Sequence, residues 1–164
     1  MQGVELVENQ KYSQEDIDMF WNKFLKETNR VETTKYLEIF HFELTKEQAN
    51  ELLQLVLSGK KRATASSLWS HENEGESIPK VGDLSIVTDW EGIPQCVIET
   101  TAVTIIPFEE ITYDICKREG EDDTLESWRA GHIKFFKEEG DIFGYEFSNK
   151  MPVIFEDFEV VYSR

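Results

Sequence analysis

The chain has few of the residues that build metal sites, disulfide frameworks and membrane spans. Its 164 residues include only two cysteines and three histidines. Cys96 and Cys116 form no CxxC pair and have no histidine at a ligand spacing, so neither a zinc site nor a disulfide framework is expected. No apolar run approaches the ~18 residues of a membrane helix, and the N-terminus lacks a signal-peptide core. We therefore expect a soluble, cytoplasmic protein without a cofactor.

Positive charge is also scarce. The 17 lysines and arginines face 33 aspartates and glutamates, which gives a net charge of −16. Such an excess repels nucleic-acid phosphate unless a local patch overrides it, so binding to duplex DNA or to a membrane is not expected. A small nucleoside-like ligand or a short single-stranded RNA stays compatible with this charge. Hydrophobic residues, 40% of the chain with 11 Phe and 4 Trp, suffice for one folded core.

Two helices are predicted in the first 60 residues by their caps and apolar periodicity. The first begins after Ser13, and the second begins with a capping box of Thr45 and Gln48 and ends before Gly59. The expected buried faces are Ile17, Phe20, Trp21, Phe24 and Leu25 in the first helix, and Ala49, Leu52, Leu53 and Val56 in the second. The first face could pack on the rest of the domain or on a second copy of the chain.

A third helix is predicted within residues 119–140. Asp123 and Glu126 are its expected cap pair, and Gly140 is its expected end. The expected inward face comprises Leu125, Trp128, His132 and Phe135. Core packing is favoured for Trp128 and His132 over base stacking or acid–base work.

Four runs are typical of strands. Residues 83–90, 95–108 and 152–162 are rich in β-branched residues, and the last run alternates apolar with acidic residues as if one face were wet. In residues 35–44, Leu37, Ile39 and one of Phe40 and Phe42 are expected to point inward. Residues 69–83 are polar and predict a long loop. Strands without regular βαβ alternation indicate an α+β fold, and short β-branched runs indicate a barrel.

The positive charge is concentrated in LSGKKRATASSLW at residues 57–69, directly after the second helix. A helix C-terminus favours cations, so Lys60, Lys61 and Arg62 have a structural explanation. The alternative is a site for an anion or a polarised carbonyl. The stretch is not a P-loop, and the chain has no GxSxG nucleophile elbow.

Four stretches together carry a family resemblance. SGKKRATAS at 58–66, VGD at 81–83, CVIETTAV at 96–103 and EGEDDTLESWRAGHIKFF at 119–136 resemble the ASCH-domain family, in particular its larger bacterial branch. The resemblance spans residues 34–162. It implies a PUA-like β-barrel with flanking helices, in which residues 34–164 form the ASCH domain and residues 1–33 an N-terminal helical extension.

The resemblance implies two classes of function. One is an RNA-binding or regulatory module. The other is an amidohydrolase, since a small bacterial ASCH enzyme cleaves N4-acetylcytidine to cytidine and acetate. That enzyme uses the Lys and Thr of a GxKxxT turn and a Glu before the last helix. The matching residues here are Lys61 and Thr64, while the glutamate falls on Glu121, with Glu119 as the neighbouring alternative.

Amide hydrolysis gives these candidate catalytic residues definite roles. Thr64 could attack the acyl carbonyl or orient a water that does so. Lys61 could deprotonate Thr64 if it is neutral, or polarise the carbonyl oxygen if it is charged. Glu121 could protonate the leaving amine or hold Lys61 in place. The structural alternatives are a neutralising cation, a turn-capping hydroxyl and a solvated acidic run.

Candidate substrate-binding residues flank the turn. They are Arg62, Ser66, Ser67 and Trp69. Trp69 could stack on a base or pack in the core. Glu99 lies in a β-branched run, and it could point into a barrel or into water.

Overall fold

The computed structural model describes residues 12–164 as a five-stranded sheet, curled into a half-barrel, with five helices. The first 11 residues, part of the predicted N-terminal extension, lie outside the described residues. The elements in chain order are α1 (Gln14–Glu27), β1 (Glu38–Phe40), α2 (Lys46–Leu57), β2 (Ala63–Ser67), α3 (Leu68–Glu74), β3 (Leu84–Thr88), β4 (Pro94–Pro107), α4 (Tyr113–Cys116), α5 (Leu125–Phe143) and β5 (Pro152–Ser163), with 3-10 turns at Phe108–Glu110 and Lys117–Glu119.

The strands have the order β1-β3-β4-β5-β2, so β1 and β2 are the two edges. Only the β1–β3 pair is parallel among the described strands, and the other pairs are antiparallel. The long strands β4 and β5 pair over most of their length, with register shifts after Val97 and after Thr100. Such irregularities increase the bend and twist of a strand pair, which is how a sheet curls. The predicted α+β class is confirmed.

The helices α1 and α2 form as predicted, because their caps and apolar faces agree. Ser13 Oγ accepts a hydrogen bond from the Asp16 amide at 3.3 Å, and Thr45 Oγ1 accepts one from the Gln48 amide at 3.4 Å. All the residues predicted to face inward are buried in both helices. The aromatic face of α1 packs on the chain's own sheet, against Ile39, Leu84, Ile86 and Val97.

The predicted loop at 69–83 is wrong in its first part, where α3 forms. Ser67 Oγ caps α3 by accepting from the Ser70 amide at 3.3 Å, and Gly75 ends it with a φ of 67°. His71 is the one buried residue of this helix, so the segment shows almost no apolar periodicity.

The ends of α5 also differ from the prediction. Thr124, not Asp123, is its N-cap, and its hydroxyl accepts from the Ser127 amide at 3.1 Å. The helix continues past Gly140 to Phe143, where a left-handed glycine follows. A β-carbon at Gly140 would collide with the carbonyl oxygen of Tyr145, so this glycine permits a close approach of the chain.

Two predictions about strand faces are wrong. Leu37 is 41% exposed, while Phe40 and Phe42 are both buried, because β1 is only three residues long and the chain leaves the strand pattern after it. Glu156 of β5 was expected on a wet face, yet it is only 6% exposed. The strand β5 lies between β4 and β2 inside the curled sheet, so its acidic positions do not all reach water.

Candidate functional site

The outer edge of β2 is bonded by two buried side chains. Lys61 Nζ donates to the carbonyl oxygen of Ala63 at 2.8 Å, and Glu119 Oε1 accepts from the amide of Ala65 at 3.1 Å. Backbone groups buried at a sheet edge need such partners, because no neighbouring strand supplies them. The strand edge therefore fixes where this lysine and this glutamate lie.

The turn after α2 directs Lys61 inward. Gly59 has a φ of 77° and donates its amide to Val56 O at 3.0 Å, and the Lys61 amide then folds back onto Leu55 O at 2.9 Å. Lys61 is 1% exposed, whereas the side chains of Lys60 and Arg62 on either side lie at the surface. The cationic turn thus presents one lysine to the interior and two cations to solvent.

Lys61 joins two glutamates in a buried cluster. Its Nζ lies 2.7 Å from Glu121 Oε2 and 3.5 Å from Glu119 Oε1. Gly120 between them has a φ of 71°, and a β-carbon there would press on the Lys60 backbone. Both glutamates that the sequence left as alternatives therefore contact the same ammonium.

Within this cluster, Lys61 and Glu121 form an ionised pair. Burial by itself would lower the pKa of Lys61, but the carboxylates of Glu121 and Glu119 outweigh it and hold that pKa above its ordinary value. Burial would likewise raise the pKa of Glu121, but the ammonium of Lys61 outweighs it and lowers that pKa. Lys61 is therefore protonated and Glu121 is deprotonated at neutral pH.

Glu119 also connects the cluster to α5. Trp128 Nε1 donates to Glu119 Oε2, and His132 Nε2 lies 3.0 Å from the same oxygen. The two rings stack at a centroid distance of 4.0 Å, since residues four apart lie on one helix face. Burial would raise the pKa of Glu119, but the charges of His132 and Lys61 hold it well below its usual range. Trp128 and His132, for which core packing was favoured, therefore also contact the buried carboxylate of Glu119.

Thr64 lies beside this cluster with a hydroxyl that the described residues leave unbonded. Its side chain is 2% exposed, and its Oγ1 has no hydrogen-bond partner within residues 12–164. The carbonyl that receives Lys61 Nζ belongs to the peptide just before Thr64. Ser66 lies two residues further on the same face of β2.

One carboxyl that the sequence did not indicate lies near Thr64 in the sheet. Glu156 of β5 is the register partner of Thr64, and Glu156 Oε1 accepts from Thr100 Oγ1 at 2.6 Å. Burial raises the pKa of Glu156. The alternating pattern of β5 concealed this carboxyl, because an acidic residue in such a pattern normally faces water.

Glu43 is a second missed carboxyl. It is 4% exposed, has a φ of 63°, and its Oε1 has no hydrogen-bond partner among residues 12–164. The ring of Phe42, the preceding residue, lies 5.4 Å from Lys61 Nζ. Burial raises the pKa of Glu43, and the charge of Glu121 raises it further, against the effects of His132 and Lys61. Only its place in the apolar run FHFEL could have marked it in the sequence.

The remaining candidates lie apart from Lys61. Ser67 is on the opposite face of β2 from Thr64, and its hydroxyl caps α3 and lies 3.2 Å from Met151 Sδ. Trp69 packs edge-on against Tyr145 at 6.2 Å, which is the core-packing alternative. Arg62 is exposed, and its charge acts on Asp157. Glu99 is bonded to Arg30 at 3.2 Å.

The described part of the chain has neither a cluster of metal-binding side chains nor a membrane-spanning helix. Within residues 12–164, no three His, Cys, Asp or Glu side chains converge in an arrangement that could hold a metal ion. Cys96 and Cys116 are free and buried. None of the helices in that range combines the length and the apolar character needed to cross a membrane.

Comparison with known proteins gives consistent results. The family model of the ASCH domain matches residues 38–162. The structure of an ASCH domain from Lactobacillus crispatus JV V101 is 33% identical, covers 91% of this chain and 96% of its own, and superposes with a TM-score of 0.82. A protein from Enterococcus faecalis V583 is 33% identical, with coverages of 91% and 90% and a TM-score of 0.83. No curated protein sequence matches the chain significantly. The predicted family and its PUA-like fold are confirmed.

Proposed function

The chain belongs to the ASCH-domain family, and from that premise we propose that it binds a small N-acylated nucleoside, such as N4-acetylcytidine, and hydrolyses its amide bond. The observation that carries the proposal is a buried, charged Lys61 bonded to the Ala63 carbonyl just before Thr64, whose buried hydroxyl has no hydrogen-bond partner among residues 12–164. A fixed cation beside a hydroxyl group is what the addition step of amide hydrolysis requires.

The charge of Lys61 decides between its two roles. A lysine whose pKa is held above its ordinary value is a poor base for Thr64. It can instead stabilise the negative charge that develops on the acyl oxygen when the carbonyl is attacked. In this mechanism Lys61 polarises the carbonyl, and Glu121 holds the ammonium in place at 2.7 Å.

Thr64 completes the addition step. Its hydroxyl, which no group of residues 12–164 bonds, either attacks the acyl carbon or positions the water that attacks it. Ser66 lies on the same face of β2, and in this proposal it binds a polar group of the substrate. Water adds across the C–N bond, and the products are the free amine, a carboxylate and a proton.

The charge distribution favours a small neutral substrate over a polyanion. A chain with a net charge of −16 does not repel a neutral nucleoside. The cation in the site is enclosed by two carboxylates, whereas an RNA-binding surface needs an extended basic stripe with exposed aromatic rings. A non-catalytic RNA-binding module is the alternative that the test below addresses.

The test is release of cytidine from N4-acetylcytidine by the purified full-length chain. We expect Thr64→Val and Lys61→Met to reduce the rate by about 10²–10⁴. The matched controls are Thr104→Val on an exposed position of β4 and Lys60→Met on the exposed side of the turn, and both should keep the wild-type rate. Circular dichroism and thermal melting would check that every variant is folded.

Two results would contradict the proposal. One is a wild-type rate equal to the blank for N4-acetylcytidine and for related N-acyl nucleosides. The other is a Thr64→Val variant as active as its control. Binding of a short single-stranded RNA, lost on substitution of the exposed Lys60 and Arg62, would then favour the RNA-binding alternative.

A further inference from the structure

The hydrolysis proposed above needs a proton donor for the leaving amine. An amine anion is a very poor leaving group, so the nitrogen must be protonated as the C–N bond breaks. Lys61 and Glu121 are a charged pair at 2.7 Å: the deprotonated carboxylate has no proton to give, and the raised pKa of Lys61 makes its ammonium a weak acid. Glu119 is occupied as well, since it accepts from Ala65, Trp128 and Lys61. None of these groups is suited to the role.

Glu43 has the properties that the role demands. It follows β1 in a left-handed backbone conformation, with a φ of 63°, which is strained for a non-glycine residue. Its carboxyl is buried, and its Oε1 has no hydrogen-bond partner among residues 12–164. A buried carboxyl without a full set of partners is a second cost to stability. Glu43 has both of these costs to stability and lies near the charged cluster of Lys61, which makes it a candidate for a functional role.

The surroundings favour the protonated form of Glu43. Among residues 12–164, the charged groups that act on its carboxyl are Lys61, Glu121 and, from α5, His132. Glu121 is paired with the ammonium and carries a negative charge, which disfavours ionisation of Glu43. Burial and the charge of Glu121 therefore raise the pKa of Glu43.

We propose that Glu43 is the catalytic acid that protonates the leaving amine, an assignment that rests on the function proposed above. As the C–N bond breaks, its electron pair stays on nitrogen and the Glu43 O–H proton moves to that atom. The attacking water supplies two protons. One restores the Glu43 carboxyl, and the other is released to solvent with the carboxylate product, so the reaction is balanced as amide plus water giving amine, carboxylate and a proton.

The test compares two leaving groups in the Glu43→Gln variant. N4-acetylcytidine needs a protonated leaving amine, whereas p-nitrophenyl acetate releases a stable phenolate and needs no acid. We expect Glu43→Gln to lower kcat for N4-acetylcytidine by about 10²–10⁴, with a smaller change in KM, and to leave the ester reaction nearly unchanged. Glu47→Gln, an exposed glutamate in the first turn of α2, is the matched control and should match wild type with both substrates.

The pH profile gives an independent readout. An acid must be protonated to work, so kcat for N4-acetylcytidine should fall at high pH in the wild type, and this limb should be absent from Glu43→Gln. Should that variant not fold, Glu43→Asp keeps a carboxyl and is expected to retain the limb with a reduced kcat.

The outcomes separate the two proposals. An inactive wild-type protein would overturn the hydrolase function and this assignment together. An active wild type with a fully active Glu43→Gln variant would overturn the assignment alone. Equal losses with the amide and the ester would also overturn it, because they would show that Glu43 only maintains the shape of the site.

Discussion

Replacing Lys61 with methionine would measure how strongly the buried cluster depends on its cation. Methionine keeps a long unbranched side chain but removes the ammonium that pairs with Glu121 and Glu119. The Lys61 and Glu119 side chains are fully buried and that of Glu121 is 9% exposed, so the two carboxylates cannot be solvated instead. Removing one partner of a buried pair costs roughly 3–5 kcal/mol. We expect the free energy of unfolding to fall by about this amount at pH 7.

The loss of stability in the Lys61→Met variant should depend on pH. In the wild type, Lys61 lowers the pKa of Glu121, and this contributes stability that is lost as the pH falls through the folded-state pKa. Without the cation, burial and the charge of Glu119 raise the pKa of Glu121, so this carboxyl binds more protons in the folded variant than in its unfolded chain. The stability of Lys61→Met should therefore decrease as pH rises above the ordinary carboxyl range.

Urea unfolding followed by tryptophan fluorescence is a suitable assay, because Trp128 contacts the cluster directly. The exposed Lys60→Met is the control, and it should change the free energy of unfolding by no more than about 0.5 kcal/mol. Adding Glu121→Gln to Lys61→Met should recover part of the loss. Equal effects of the two lysine substitutions, or additivity of Lys61→Met and Glu121→Gln within about 0.5 kcal/mol, would refute the reasoning.

Two further predictions concern stability. Gly59→Ala should cost about 1–2 kcal/mol, since Gly59 has a positive φ but open space around it. Gly120→Ala should cost about 1–3 kcal/mol more, because its β-carbon would press on the Lys60 carbonyl, and equal melting temperatures for the two variants would contradict this. Burial raises the pKa of Glu139 to about 7, although Tyr145 donates to it at 2.8 Å, so about 3 kcal/mol of stability should be lost as pH rises from about 4.5 through 7. In urea titrations at several pH values, Glu139→Gln should flatten the dependence of the unfolding free energy on pH. An unchanged dependence in this variant would contradict the prediction.

The elements that were predicted correctly have signals that are local in the chain. The caps Ser13 and Thr45 lie beside the apolar faces they introduce, and both helices formed as expected. The cap of α5 was placed one residue early, because Asp123 and Thr124 are both good N-caps and only the backbone conformation distinguishes them. The helix α3 was missed because it buries a single residue, so it leaves almost no periodic pattern.

By itself the sequence determined the family, the α+β fold and the turn that carries Lys61 and Thr64, because these follow from short motifs and from periodicity. Only the tertiary structure decided the chemistry of the site. Glu121 lies 60 residues from Lys61 in the chain, and Glu119 lies 54 residues from the backbone amide that it accepts from. The protonation states of Lys61, Glu121 and Glu43 depend on burial and on charges brought together across such separations, so no local pattern encodes them.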